Sequence, residues 1–245
     1  MNKLSKHGFT LAEVLITLGI IGVVAALTIP SLISNYQKSQ YVVGLKKAYS
    51  QSNNALMALT VAEGSPSDIK ATGLFTDDFD ITRFGDAYAS QFNILKNYGI
   101  DGTDLPDDAI VNTQFDGGAP SGSFKDYWNG SGSYMFTTAD GTFFAINSAG
   151  DCTTDYSGGQ NNAFTQICGE MEVDVNGFKK PNYYGRDIFR FLITNGRGAA
   201  IIPYGAQGDD SIGYWKDLGY CADSDHSNDM YCAAKIIDEG WEMNY

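Results

Sequence analysis

The sequence predicts an α+β protein: one long amino-terminal helix followed by a mainly antiparallel β-sheet. Three observations predict it. Residues 9–29 form an apolar run broken by a single charge, Glu13. Beyond Pro30 the apolar residues recur at helical spacing, at Leu32, Tyr36, Leu45, Tyr49, Leu56 and Leu59. After Ser133 short β-prone runs alternate with turns rich in Gly, Asn and Asp. A long helix first and strands afterwards is the element order of an α+β fold rather than of an alternating α/β one.

Taken in order, residues 1–8 form a short leader carrying Lys3, Lys6 and His7. The 9–29 run is about 21 residues, roughly 32 Å of helix at ~1.5 Å per residue, enough to cross a bilayer core. It is expected to be a transmembrane segment. The leader lysines keep the amino terminus in the cytoplasm and send the rest of the chain out. Pro30 lacks a backbone donor and crowds the preceding turn, so a bend is expected there. Residues 30–64 continue the helix as an amphipathic half, with Gln37, Lys38, Gln40, Lys46, Lys47, Gln51 and Asn53 opposite the apolar stripe. Gly64-Ser65-Pro66 stops it. Residues 65–245 are the globular head. There, residues 80–98 are expected to be helical, with Phe84, Tyr88, Phe92 and Leu95 on one face, and residues 99–132 to be surface loop. The sheet is expected to begin near Ser133. Residues 134–137 and 142–146 flank Ala139-Asp140-Gly141, a hairpin signal. Residues 170–175 make a third strand. Residues 188–193 and 199–202 make a second hairpin around Asn195-Gly196. Residues 228–238 read as a closing helix stopped by Gly240, with Trp241 and Tyr245 packed back onto the head.

Glu13 is the anomaly of the apolar run. A carboxylate in a lipid-facing helix costs about 2.5–3.5 kcal/mol on insertion scales, so it needs a partner. An ordinary signal peptide has no use for it, although a signal-peptidase site after Val24-Ala25-Ala26 is the alternative reading. The stretch Gly8-Phe9-Thr10-Leu11-Ala12-Glu13 closely resembles the class III signal of type IV prepilins and of the pseudopilins of type II secretion systems. The resemblance implies that a prepilin peptidase cuts between Gly8 and Phe9 and methylates the new amino terminus of Phe9. Glu13 then becomes the fifth mature residue and pairs with the amine of a neighbouring subunit. Gly22 and Pro30 match the glycine and proline that flank a segment able to loosen on assembly. Ala12 departs from the larger apolar residue usual at its position. The resemblance also implies a pilin-like fold and a place in the bacterial inner membrane, single-pass, with the head outside the cytoplasm. The partners it implies are other pilin or pseudopilin subunits and an inner-membrane assembly platform.

The net charge of -13 disfavours general binding to nucleic-acid phosphates. Cys152, Cys168, Cys221 and Cys232 all follow the apolar segment. An even count in an exported head reads as two disulfides. Three pairings are open, and proximity favours Cys152–Cys168 and Cys221–Cys232. No CxxC or Cys/His set suggests zinc.

One stretch can carry a ligand. Within residues 174–187, Asp174, Asn176, Asn182 and Asp187 supply side-chain oxygens and Gly177 a sharp turn. Calcium takes six to eight oxygens in irregular geometry, and several pseudopilins hold calcium in a head loop. The spacing is not that of an EF-hand, since Gly185 stands at the twelfth position. The alternative is a turn in which Asp and Asn cap their own backbone. Asp209-Asp210 and Asp223-Ser224-Asp225 read as solvated loop charges.

No catalytic constellation stands out, and an enzyme is not expected. His226 lies alone in a polar loop, His7 belongs to the leader, and no nucleophile elbow, P-loop or HExxH pattern occurs. The leading functional expectation is a structural subunit, minor by the size of its head, of a type IV pilus-like or type II secretion filament. The alternatives are an anchored exported binding module, calcium-dependent or not, and an anchored hydrolase.

Overall fold

The computed structural model describes residues 8, 10–76, 80–100, 102, 104–106, 110–111, 122–123, 132–157, 162–206, 215–216, 221 and 229–245. The chain divides into two compact units, Met1–Gln40 and Tyr41–Tyr245. The first helix, α1 (Leu11–Ala62), contributes to both.

In the first unit α1 carries apolar side chains that are exposed all along it, from Leu11 through Leu18, Val23 and Leu27 to Ile33. This stretch is long and apolar enough to cross a membrane. Its hydroxyls turn back onto the helix. Thr17 Oγ1 donates to the Glu13 carbonyl at 2.9 Å and Thr28 Oγ1 to the Val24 carbonyl at 2.9 Å. Such back-bonding gives each hydroxyl a partner within the helix itself. α1 is one helical element through Pro30.

The second unit is built on a six-stranded, wholly antiparallel sheet in the order β1-β4-β5-β6-β7-β8. The strands are β1 (Ile94–Ile100), β4 (Tyr134–Thr138), β5 (Phe143–Ser148), β6 (Ile167–Asp174), β7 (Ile188–Thr194) and β8 (Ala200–Pro203). A separate two-stranded ribbon pairs β2 (Ile110–Val111) with β3 (Gly122–Ser123). Two short helices complete the unit, α2 (Thr82–Ala89) and α3 (Cys232–Asp238).

Residues Tyr41 to Ala62 of α1 lie on one face of this sheet. Leu45, Ala48, Leu56 and Leu59 are buried against Phe136, Phe144, Met171 and Phe191. Each such aromatic, fully buried, contributes about 1.5–3 kcal/mol of transfer free energy. Two polar contacts fix the helix in place, one from β8 and one from α2. The Ile201 amide donates to Asn53 Oδ1 at 3.0 Å, and the Tyr88 hydroxyl donates to the Ser52 carbonyl at 3.0 Å. The opposite face is also covered. Met135, Phe143, Ala145 and Ile188 pack with Leu105 and Tyr184, and Ile167 and Leu192 pack with Phe164, Trp215 and Tyr231. Strands with both faces covered read as continuous apolar runs rather than alternating ones.

Two disulfides hold the head, Cys152–Cys168 and Cys221–Cys232. These are the pairings that proximity favours. α1 ends at Ala62, just before the Gly64-Ser65-Pro66 stop, and both predicted hairpins form.

Three expectations need correction. Residues 80–98 are not one helix. α2 ends at Ala89, its last turn tightened by bonds from Gln91 to Tyr88 and from Phe92 to Ala89, and the chain then enters β1. Phe84, Tyr88 and Phe92 join the core as the spacing predicts, but Leu95 is 67% exposed. The sheet therefore begins at Ile94 rather than near Ser133. β1 is an edge strand, bulged twice against β4 and mostly exposed, so its sequence carries little period-two signal. Nor are residues 99–132 all surface loop. Leu105 is buried, and β2 and β3 lie within this span. The third predicted strand starts earlier, at Ile167, and the closing helix is a 3-10 turn, Asp229–Tyr231, leading into α3. Gly240 takes the left-handed conformation that stops α3. Trp241 does pack back, 5.8 Å from the Tyr49 ring, and Tyr245 donates to the Gly185 carbonyl at 2.5 Å.

The β4–β5 turn is tied to α1 by charge. Asp140 accepts a 2.5 Å contact from Lys47, a 2.5 Å hydrogen bond from Thr138 Oγ1 and a 3.3 Å bond from the Thr142 amide. Burial alone pushes this carboxyl up, but these partners outweigh it and hold it down at about 2. The stabilisation is therefore present above an ordinary carboxylate pKa of 3.8 and is lost as the pH falls through about 2. Lys47→Met is expected to flatten the acid limb of the stability curve in this window. Urea titrations of both proteins between pH 5 and pH 2 check it.

Candidate functional site

Two places collect the residues that the sequence singles out. The first is the start of α1. Phe9 and the leader residues 1–7 lie outside the described residues. Gly8 and Thr10 are exposed, and α1 begins at Leu11. Thr10 is the N-cap, because its carbonyl accepts the first helical bond, from Val14 at 3.2 Å. Glu13 is not a loose carboxylate. Its Oε2 accepts the Thr10 amide and the Thr10 hydroxyl, each at 2.8 Å, while its own amide donates to Thr10 Oγ1 at 3.2 Å. This is a capping box, which satisfies two amides that a helix start leaves bare. The pattern Thr10-x-x-Glu13 is readable in the sequence, and the sequence reasoning above missed it. Gly22 and Pro30 lie within the exposed stretch of α1, and a side chain at Gly22 would meet nothing within 4 Å.

The second place is the turn from β6 to β7, residues 175–187. It brings Asp174, Asn176, Asn182 and Asp187 together. Asp187 Oδ2 accepts the Asn182 amide at 2.9 Å and Oδ1 the Tyr183 amide at 2.7 Å, and the Asn176 side chain also bonds to it. Asp174 Oδ1 accepts the Asn176 amide at 3.1 Å. The turn closes through a 2.8 Å bond from the Val175 amide to the Asp187 carbonyl. Gly177 has positive φ, and a Cβ there would come within 2.5 Å of the Gly141 carbonyl oxygen, so glycine is required. Asp174 and Asp187 are almost wholly buried. Burial pushes the Asp174 carboxyl well up and the nearby Asp187 charge adds to this; burial likewise raises Asp187. No ion pair among the described residues involves either carboxylate. Nor do the described residues hold a cluster of three or more His, Cys, Asp or Glu side chains. Asp209-Asp210, Asp223-Ser224-Asp225 and His226 lie outside the described residues.

Sequence reasoning missed a third cluster, on the sheet face away from α1. Arg190 on β7 stands opposite Glu172 on β6. Its Nη2 donates to Glu170 Oε2, and its Nε lies 3.7 Å from Glu172 Oε1. The Tyr184 hydroxyl donates to Glu172 Oε2. Burial pushes the Glu172 carboxyl up to about 7 against the opposing pull of Arg190 and Tyr184. No sequence signal marks this cluster, since it depends on which residues face each other across strands. Arg190→Met would leave a buried acid without its cation and is expected to cost about 3–5 kcal/mol, read as a fall in the urea midpoint.

A polar groove of about 510 Å³ lies between α1 and the β4–β5 turn, lined by Lys47, Gln51, Asn54, Gln91, Asn93 and Asp140 among others. Its charges are already paired with each other.

Residues 3–29 match the family model described as the prokaryotic N-terminal methylation motif. The chain thus carries a type IV prepilin-like class III signal. With the apolar helix and the antiparallel head behind it, the architecture is pilin-like, and the motif supports a pilin- or pseudopilin-like exported subunit. No curated protein and no solved structure matches the chain.

Proposed function

We propose that this chain is a structural subunit, pilin or pseudopilin and minor by the size of its head, of a type IV pilus-like or type II secretion filament. Residues 1–8 are its leader, 9–29 its membrane segment, 30–64 the amphipathic continuation and 65–245 its head. Prepilin peptidase cuts between Gly8 and Phe9 and methylates Phe9. Until assembly the subunit sits in the bacterial inner membrane with its head outside the cytoplasm.

The observation that carries this reading is the setting of Glu13. It is the one charge of the apolar run, held in the first turn of a helix whose apolar side chains are exposed. Both hydrogen bonds from Thr10 land on Oε2. A carboxylate has about four acceptor positions, so the cap leaves room for the amine of a neighbour. Removing the leader frees that amine and takes away Lys3 and Lys6, which hold the terminus at the cytoplasmic side. Apolar helices then bundle, and pairing of Glu13 with a neighbour's Phe9 amine sets their register. Gly22 and Pro30 bound the segment that loosens as subunits join.

The test of processing is the amino-terminal mass of the membrane-extracted protein from its own host. The expected start is Phe9 bearing one added methyl group. A start at Met1, or near Leu27, contradicts the reading. Glu13→Ala is expected to insert and to be processed, yet to leave sheared fractions depleted at least tenfold in filaments (a loss of about 1.4 kcal/mol per contact suffices for that factor). Normal filament yield from this variant would remove the pairing role. A second reading, an anchored binding module that does not polymerise, draws on the buried acidic turn of the head; absence of the wild-type chain from sheared filaments would favour it.

A further inference from the structure

The β6–β7 turn separates its charges. Asp174 and Asp187 are 1% and 0% exposed, and the backbone amides of Asn176, Asn182 and Tyr183 engage them from within. Lys179, Lys180 and Arg186 are exposed. Among the described residues no acid lies within ion-pair distance of these three cations. Arg186 instead lies over the Tyr183 ring, 5.6 Å from its centroid. Lys47 and Lys216, by contrast, have Asp140 and Asp238 at 2.5 Å. Three cations without an acidic partner on one turn are out of character for a chain of net charge -13.

The turn lies where α1 enters the head. The Cβ of Val175, its first residue, is 3.0 Å from where a Cβ on Gly44 would stand. Burial and then the Asp187 charge raise the Tyr41 hydroxyl, and Arg186 pulls it the other way, so Tyr41 borders the same turn. Tyr41 is the first residue of the second compact unit. Eight residues before it stands Ile33, at the end of the exposed apolar stretch of α1. Eight residues of helix span about 12 Å. So short a tether keeps a basic turn close to whatever surface the apolar stretch crosses.

We propose that the β6–β7 turn, through Lys179, Lys180 and Arg186, docks on anionic phosphate headgroups of the membrane that α1 spans. This rests on the reading of residues 9–29 as a membrane segment. The two ammonium groups meet phosphates as point charges, and the Arg186 guanidinium takes two phosphate oxygens at once. Tyr36, 65% exposed, and Tyr183, half-buried, supply amphipathic rings of the kind that settle at headgroup level. The attraction fades over about 8 Å at physiological salt, so it acts only on a turn held near the surface. A basic residue there raises partition about fivefold, and three together make a second anchor beside the apolar helix. The buried acids serve the docking indirectly, since their bonds to the turn's own amides hold its backbone in shape.

The full chain is placed in nanodiscs of phosphatidylcholine alone and in discs with about one third phosphatidylglycerol. Its lysines are briefly acylated with an amine-reactive ester and read by peptide mass spectrometry. Lys70, exposed beyond the other end of the helix that Tyr41 opens in the head, is the internal reference. Labelling of Lys179 and Lys180 relative to Lys70 is expected to fall about fivefold in the anionic discs and to recover in roughly 1 M salt. The double variant Lys180→Gln/Arg186→Gln changes only surface side chains and is expected to lose most of the protection at Lys179. Inorganic phosphate added to the neutral discs is expected to leave the ratio unchanged. The proposal is overturned if the chain enters both kinds of disc and the ratio is the same in each. It is equally overturned if free phosphate protects as well as the anionic lipid does, or if the double variant protects Lys179 as the wild type does. A chain that enters neither kind of disc sinks the membrane-segment reading and this proposal with it, so the two failures are told apart.

Discussion

The packing of residues 41–62 of α1 onto an aromatic sheet face is the contact on which the head depends. Leu45, Ala48, Leu56 and Leu59 supply the apolar stripe, and the strands answer with Phe136, Phe144, Met171 and Phe191. α2 joins the same layer through Phe84 and Tyr88, whose rings stack at 5.2 Å. The Tyr88 hydroxyl then reaches over to the Ser52 carbonyl of α1. The closing segment belongs to the layer too, with Ile236, Trp241 and Met243 in or against the same cluster. Elements far apart in sequence thus share one hydrophobic layer, which includes the Cys152–Cys168 disulfide, while Cys221–Cys232 is buried in the cluster on the other face of the sheet.

One helix carries two different side-chain patterns. In its first stretch apolar side chains are exposed and hydroxyls bond back to the helix. In its second stretch one apolar stripe is buried, and lysines and amides share the remaining surface with a few exposed apolar side chains such as Val43 and Val61. The carboxylate of Glu13 looks out of place in the first stretch, but there it performs a local task. It closes the helix start together with Thr10, which satisfies part of its hydrogen-bonding capacity within the chain. The cap fixes where the carboxylate points.

Much of this was legible in the sequence. The apolar run and the helical stripe were, because a period of 3.6 over many residues is hard to mimic by chance. The two hairpins were marked by Asp140-Gly141 and Asn195-Gly196, and the disulfides by proximity of their cysteines. β1 was not legible. Phe84, Tyr88 and Phe92 keep helical spacing right up to the point where the helix has ended, and the strand that follows is too exposed to show alternation. Leu105 was hidden within a polar loop, although it is buried against the far sheet face. The acids and amides of the β6–β7 turn could be found by residue type within fourteen positions, but their burial could not. Glu172 and Arg190 carried no signal at all, since eighteen residues separate them and only the sheet brings them opposite each other.

The cover on both faces of the sheet has a consequence for how its strands find their alignment. In a sheet with one wet face, sliding a strand by one residue exposes its apolar set and is punished at once. Here β6 and β7 meet apolar cover on either side, so hydrophobicity alone discriminates poorly between neighbouring alignments. The charged trio supplies the missing discrimination. Were β7 displaced by a single position, Arg190 would turn toward the side where Met171 and Val173 lie under α1, and Glu172 would lose its cation in a dry environment. The cluster works as an index mark: costly to bury, and valuable because only one alignment satisfies it.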